Sequence, residues 1–170
     1  MNPCVFMDRD GVINVERGTY TWEVENFEII PGVPESLRKL KKQGYLLIVV
    51  TNQAGVGRGL YTKSDMEECH RYLSDQTFDI LDDIYYATSH PDHSNSLLRK
   101  PDSLMFEKAI ARYRIDPGRS WMVGDTEGDL VPAKKLGIRT IYIGSMPDAG
   151  DDQLIAADLS QAAELIIKNQ

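Results

Sequence analysis

Two aspartates two positions apart, Asp8 and Asp10, stand at the end of an apolar run over residues 3–7, with Gly11 directly behind them. Side chains at i and i+2 of an extended segment point to the same side, so this spacing brings two carboxylates to one place. Held together, like charges repel until one takes a proton or a cation binds among them. Further along, Thr51-Asn52, Lys100, Asp125 and Asp129 offer a hydroxyl, an ammonium and two more carboxylates. Oxygen donors without His or Cys suit a hard ion. Mg²⁺ fits best, because one or two carboxylates, several waters and phosphate oxygens usually hold it. The lysine, and exposed N–H groups around Gly55, Gly57 and Gly59 near a helix start, suit a phosphate.

These residues can act together only if the fold gathers them. Residues 3–7 read as a buried strand, 14–30 as an irregular flap mixing aromatic and acidic residues, and 33–43 as a helix stopped by Gly44. The apolar, β-branched run 45–50 suits a parallel strand covered on both faces. A glycine-rich loop fills 51–61. Thr62, with Asp65 three residues on, then caps a helix reaching to about Phe78. Strands are predicted at 84–88, 120–125 and 138–144, and helices from Pro101 to about Tyr113, over 129–136 and over 159–168. Alternating strands and helices with short connections imply an α/β fold: a mostly parallel central sheet with right-handed crossovers and helices on both faces. In such sheets ligands sit at the carboxyl ends of the strands. The loops after four predicted strands would therefore bring Asp8, Asp10, Thr51, Asn52, Lys100, Asp125 and Asp129 to one edge.

With 170 residues, 1–170 is expected to form a single domain, domains running to about 100–200 residues. At 42% hydrophobic and 26% charged residues, the chain has no apolar stretch near the roughly 20 residues that span a bilayer, and no secretion-signal start. The expectation is a soluble, cytoplasmic, monomeric protein. Cys4 and Cys69 are too few for a disulfide framework or a cysteine-rich zinc site, and read as buried thiols. A net charge of −7 disfavours nucleic acid and anionic membranes as partners, so a small anionic substrate needs a locally positive pocket.

Taken in order, Asp8-Arg9-Asp10-Gly11, Thr51-Asn52, Lys100-Pro101 and Gly124-Asp125 with Asp129 resemble the four signatures of the haloacid dehalogenase superfamily of phosphatases, across essentially the whole chain. Within it, "DRDGVIN", "PGVPESLRKLKKQGY", "VVTNQAGVGRG" and "RKP" look like the heptose bisphosphate phosphatases of nucleotide-activated heptose and lipopolysaccharide biosynthesis. The histidinol-phosphate phosphatases are the next neighbour. The resemblance implies a Rossmann-like fold in which Asp8 is the nucleophile that forms an aspartyl-phosphate and Asp10 the general acid and base. It further implies Mg²⁺ held by Asp8, the Asp10 carbonyl and Asp125, with Asp129 orienting the metal's water or Lys100. Thr51 and Lys100 would bind the phosphoryl oxygens. Residues 11–50 and 52–99 leave no room for a cap domain. Specificity for a phosphorylated sugar would then fall to the flap, Asn52, Gln53, Arg58 and Arg99, the last beside Lys100 and suited to a second phosphate.

The chain departs from that pattern twice. Relatives of the heptose and histidinol type carry a structural zinc before the lysine, and the four ligand positions here are Ala87, Ser89, Ser96 and Leu98, so no zinc is expected. Thr126 stands where many relatives have lysine. His70, His90 and His93 read as solvated, and Trp22, Tyr85, Tyr86 and Trp121 as packing, with Trp22 also placed to line a pocket. A phospho-accepting signalling domain on the same kind of sheet is the competing class. Asp10, placed to activate water, argues for hydrolysis over storage.

Overall fold

The structure, a computed structural model, describes residues 1–146, 150 and 153–170. Six strands pair in the order β3-β2-β1-β4-β5-β6, and every pairing is parallel. They are β1 (Cys4–Met7), β2 (Leu46–Asn52), β3 (Asp83–Ala87), β4 (Trp121–Gly124), β5 (Arg139–Ile143) and β6 (Leu154–Ala156). The helices are α1 (Val33–Lys42), α2 (Ala54–Gly57), α3 (Lys63–Gln76), α4 (Leu104–Tyr113), α5 (Glu127–Lys135) and α6 (Leu159–Lys168).

Side chains alternate across each strand, so the sheet has two apolar faces, and both are covered. Val5, Met7, Leu47 and Val49 join Leu37 and Leu40 of α1, Cys69 and Leu73 of α3, and Ala163 and Ile166 of α6. Cys4, Phe6, Ile48 and Val50 face the other way, onto Phe106 and Ala109 of α4 and Leu130 and Ala133 of α5. Both cysteines are buried and free.

The chain moves outward from β1 through β2 to β3, then returns to lay β4 on the other side of β1. That reversal opens a crevice at the carboxyl end of β1, between the loops after β2 and β4. Register makes the convergence close. Met7 pairs with Val49 and with Val123, so Asp8, Thr51 and Asp125 all leave the sheet at the same edge.

Three predicted elements need correction, and one strand is new. The glycine-rich stretch after β2 is partly helical, as α2. The helix after Lys100 starts at Leu104 and not at Pro101, because the Asn52 amide bonds both the N–H and the C=O of Lys100 and holds that backbone across the sheet edge. The helix carrying Asp129 begins at Glu127, since the Asp129 carboxylate caps it from its third position by accepting from the Thr126 N–H. The short β6 carried no expected strand.

Candidate active site

At the end of β1, Asp8 Oδ1 accepts from the Arg9 N–H at 2.7 Å and from Lys100 Nζ at 2.9 Å. Its Oδ2 accepts no hydrogen bond among the described residues. Lys100 is buried, and an ammonium has three protons to place. They go to Asp8, to Asp129 Oδ1 at 2.6 Å and to the Val50 carbonyl at 2.6 Å. Asp129 is equally committed: its Oδ2 takes the Thr126 hydroxyl at 2.7 Å and the Thr126 N–H at 3.1 Å. Thr126 is thus the N-cap of α5.

Asp8, Asp125 and Asp129 each offer an oxygen within 4.8 Å of the others. They form the one group of three or more potential metal ligands among the described residues. Burial pushes the Asp8 carboxyl up to about 7, with the Lys100 ammonium pulling the other way and Asp129 adding to the rise. Asp125 is raised to about 6, first by burial and then by the charge of Asp129. For Lys100, burial alone would lower the pKa, but the charges of Asp8 and Asp129 outweigh it and the ammonium is favoured. Gly11 makes room for the cluster. Its φ of +82° turns the chain sharply, and a Cβ there would collide with Asp125 Oδ2.

The donor set fits a hard divalent cation: it is all oxygen, with no thiolate or imidazole near it. The Asp125 carboxylate is an uncommitted donor for such an ion, and Asp8 offers it one oxygen as well. Asp129, with both oxygens taken, supports Lys100 from behind. The Asp10 side chain stands outside the cluster, which leaves its carbonyl as the donor expected of it. Its carboxylate is held by Arg9, Asn14 and Gln53.

A cavity of about 410 Å³ joins these groups. Asp8, Asp10, Thr51, Asn52, Gln53, Lys100, Asp125 and Asp129 all line it, so most of the predicted site residues come together. Thr51 accepts from the Gln53 amide at 2.9 Å, which leaves its hydroxyl proton free for a phosphoryl oxygen. Gln53 is fixed by the Tyr61 hydroxyl at 2.8 Å. Asn52 spends its amide clamping the Lys100 backbone, so it acts on a substrate through Lys100.

Arg58 and Arg99 do not line the cavity. Arg58 is exposed and reaches Tyr20 at 3.5 Å, while Arg99 is half-buried with a long 3.4 Å bond to the Ser89 carbonyl. The glycines of the β2–α3 connection do not line it either; Gly55 instead makes way for the Tyr61 ring, which a Cβ there would strike. From the flap, Glu16, Thr19, Tyr20 and Thr21 reach the cavity, whereas Trp22 stacks on Tyr61 and lines the neighbouring groove.

Two residues carried no site reading from sequence. His70 is buried, not solvated, beside Arg9 and the Tyr86 ring. Arg9, between the two aspartates, is 1% exposed and lines the cavity. Its position inside DRDG was visible, but an odd residue in a DxD pattern carries no signal of its burial. At the four positions that the resemblance assigns to zinc, Ala87 is buried, Leu98 packs against the Phe6 face of the core, Ser96 accepts from the Leu98 N–H, and Ser89 Oγ is buried with no partner among the described residues.

A carboxylate nucleophile candidate beside a buried lysine, at the switch point of a parallel sheet, defines a class of hydrolase. The family model described as haloacid dehalogenase-like hydrolase matches residues 9–143, and the chain belongs to that family. A D-glycero-beta-D-manno-heptose-1,7-bisphosphate 7-phosphatase of Haemophilus ducreyi is 37% identical over 97% of this chain and 92% of its own. The protein of that name from Haemophilus influenzae is 41% identical over 92% of this chain and 90% of its own. Among solved structures, a D,D-heptose 1,7-bisphosphate phosphatase from B. bronchiseptica, complexed with magnesium and phosphate, superimposes with a TM-score of 0.88. It covers 99% of both chains at 22% identity, which bears on the fold.

Proposed function

We propose that this chain is a Mg²⁺-dependent phosphomonoester hydrolase that works through an aspartyl-phosphate and removes the 7-phosphate of D-glycero-D-manno-heptose 1,7-bisphosphate. One observation carries the mechanism. Asp8 has one oxygen anchored by Lys100 and the Arg9 amide and the other free, in a cavity also lined by Thr51, Gln53 and Lys100. The named relatives carry the substrate.

In the first half-reaction Asp8 Oδ2 attacks phosphorus, the P–O ester bond breaks, and Asp10 gives its proton to the departing alkoxide. In the second, Asp10 takes a proton from water as the water oxygen attacks the same phosphorus. The P–O bond to Asp8 breaks, and inorganic phosphate and the free carboxylate are restored. Lys100 and the Thr51 hydroxyl hold the phosphoryl oxygens, and Gln53 sets the orientation of Thr51. Asp8, the Asp10 carbonyl and Asp125 would hold a Mg²⁺, which would supply the positive charge that lets an anionic nucleophile meet an anionic phosphate. Asp129 keeps Lys100 charged and in place.

Substrate hydroxyls meet Glu16, Thr19, Tyr20 and Thr21. Arg99, one residue from Lys100 and weakly engaged, is the cation for the distal phosphate, with Arg58, outside the cavity beside Tyr20, as the second. The protein works as a monomer of one domain, and its loop before Lys100 needs no zinc.

The test is phosphate release with Mg²⁺ from both anomers of the heptose 1,7-bisphosphate, histidinol phosphate and a sugar phosphate panel. A strong preference for a bisphosphate anomer, abolished by Asp8→Asn, supports the reading. Activity confined to histidinol phosphate would keep the mechanism and replace the substrate.

A further inference from the structure

Arg9 is among the largest fully buried side chains of the molecule. Burying a guanidinium is costly unless its donors are matched, and here they converge on Asp10. Nη2 bonds Asp10 Oδ1 at 3.0 Å and Nε bonds Oδ2 at 3.2 Å, the fork-to-fork arrangement that fixes a carboxylate in direction as well as distance. Asn14 Nδ2 adds a 3.0 Å bond to Oδ1, and Gln53 Nε2 a 3.2 Å bond to Oδ2. A carboxylate has about four acceptor positions, and all four are filled.

The guanidinium is itself fixed by other elements. Nη2 also bonds the Thr21 carbonyl at 2.8 Å, the Phe27 ring lies 5.3 Å from the guanidinium carbon, and Nη1 faces His70 Nε2 of α3 at 3.5 Å. Thr21 and Phe27 belong to the flap that also lines the substrate cavity.

We propose that Arg9 is the positioning residue for Asp10, and that through it the seating of the flap at Thr21 and Phe27 sets where the Asp10 carboxylate stands. The inference rests on Asp10 being the general acid. It also divides the labour of the carboxylate: Oδ1, with two 3.0 Å bonds, is the anchor. Oδ2, with two longer bonds, is the oxygen that releases Arg9 Nε and Gln53 Nε2, carries the proton Asp10 took from water in the preceding hydrolysis, and passes it to the leaving alkoxide. Substrate that fills the cavity presses on the same flap that holds Arg9, so seating the substrate and aiming the acid are one event.

A buried ion pair that only stabilises the fold would make a different prediction, and leaving groups separate the two. Proton donation matters for an alkyl ester and little for p-nitrophenyl phosphate, whose phenolate departs unprotonated. For both esters kcat/KM reports the steps up to release of the alcohol or phenol, at saturating Mg²⁺. Asp10→Asn is expected to lower kcat/KM for a sugar phosphate by about 10²–10⁴-fold, and far less for the aryl ester. Arg9→Lys, which keeps the charge and loses the fork, and Arg9→Met should show the same bias, with a loss on the alkyl ester at least tenfold greater than on the aryl ester.

Phe27→Leu, which touches neither Asp10 nor Asp8, should show the bias in weaker form, and it decides the question with Arg9→Lys if Arg9→Met does not fold by circular dichroism. Equal losses on both esters in Arg9→Lys and Phe27→Leu, beside a biased Asp10→Asn, would overturn the role of Arg9 alone. An unbiased Asp10→Asn would overturn the acid assignment and this inference with it.

Discussion

Lys100 shows how tightly the site is accounted for at the scale of single residues. Its three protons meet two carboxylates and one carbonyl, and removing it strands the Asp129 charge in a buried position. Lys100→Met is therefore expected to abolish turnover and to cost about 3–5 kcal/mol of stability, the usual penalty for breaking a buried pair, read by urea denaturation. Gly11→Ala tests the cluster from the other side. At φ +82° the new methyl is strained and strikes Asp125 Oδ2, so Mg²⁺ activation should need about 10–100-fold more metal, measured from the Mg²⁺ dependence of kcat/KM. Unchanged activation would show that Asp125 does not hold the metal. Asp8 and Asp10 both line the cavity, yet period two does not place them: they lie past the end of β1 with a bend at Arg9, and the Asp10 carboxylate stands apart from the cluster. The burial of Arg9 and His70 was not readable either, because each depends on elements far off in the chain.

Elements carry their own signals, and these were legible where the chemistry is local. Thr62 and Asp65 form a reciprocal cap at the start of α3, with the Asp65 N–H on Thr62 Oγ1 at 3.2 Å and the Thr62 N–H on Asp65 Oδ2 at 2.7 Å. Thr62→Ala should cost about 1 kcal/mol in urea denaturation and leave kcat unchanged, since the cap lies away from the cavity. A fall in kcat would mean that α3, through His70, holds Arg9 more directly than its 3.5 Å contact implies. Where an element's start was misplaced, a long-range bond decided it. Asn52 on β2 pins the Lys100 backbone and delays α4, and no pattern near residue 100 encodes that. The three-residue β6 exists because β5 offers it an open edge.

For the molecule as a whole, the site couples stability to pH. A carboxyl whose folded pKa lies above its unfolded value gives stability that is fully present below about 4 and is lost as pH rises through the folded pKa. Asp8, raised to about 7, and Asp125, raised to about 6, are such groups. In chelator the melting temperature should therefore fall between pH 6.5 and 7.5. His70, held near 3 by burial, has the opposite sign and costs stability only below its ordinary 6.5. Mg²⁺ needs both carboxylates ionised, so it should raise the melting temperature more at pH 8 than at pH 5.5. An equal shift at both pH values would place the ion elsewhere. Among the described residues no helix is long and apolar enough to cross a membrane.

The sequence by itself determined the alternation of strands and helices, the covered sheet, and the set of groups that ends up around the cavity. Apolar periodicity, caps and the carboxyl-end rule are local or topological, and they survive without coordinates. Only the tertiary structure decided which donor meets which acceptor: Asp129 spent on Lys100 and Thr126, Asn52 spent on the Lys100 backbone, Arg58 and Arg99 left outside the cavity, and Asp10 gripped by Arg9 under the flap. Those assignments turn on distances of a few tenths of an ångström between residues tens of positions apart, and such distances are set by how the packed elements meet.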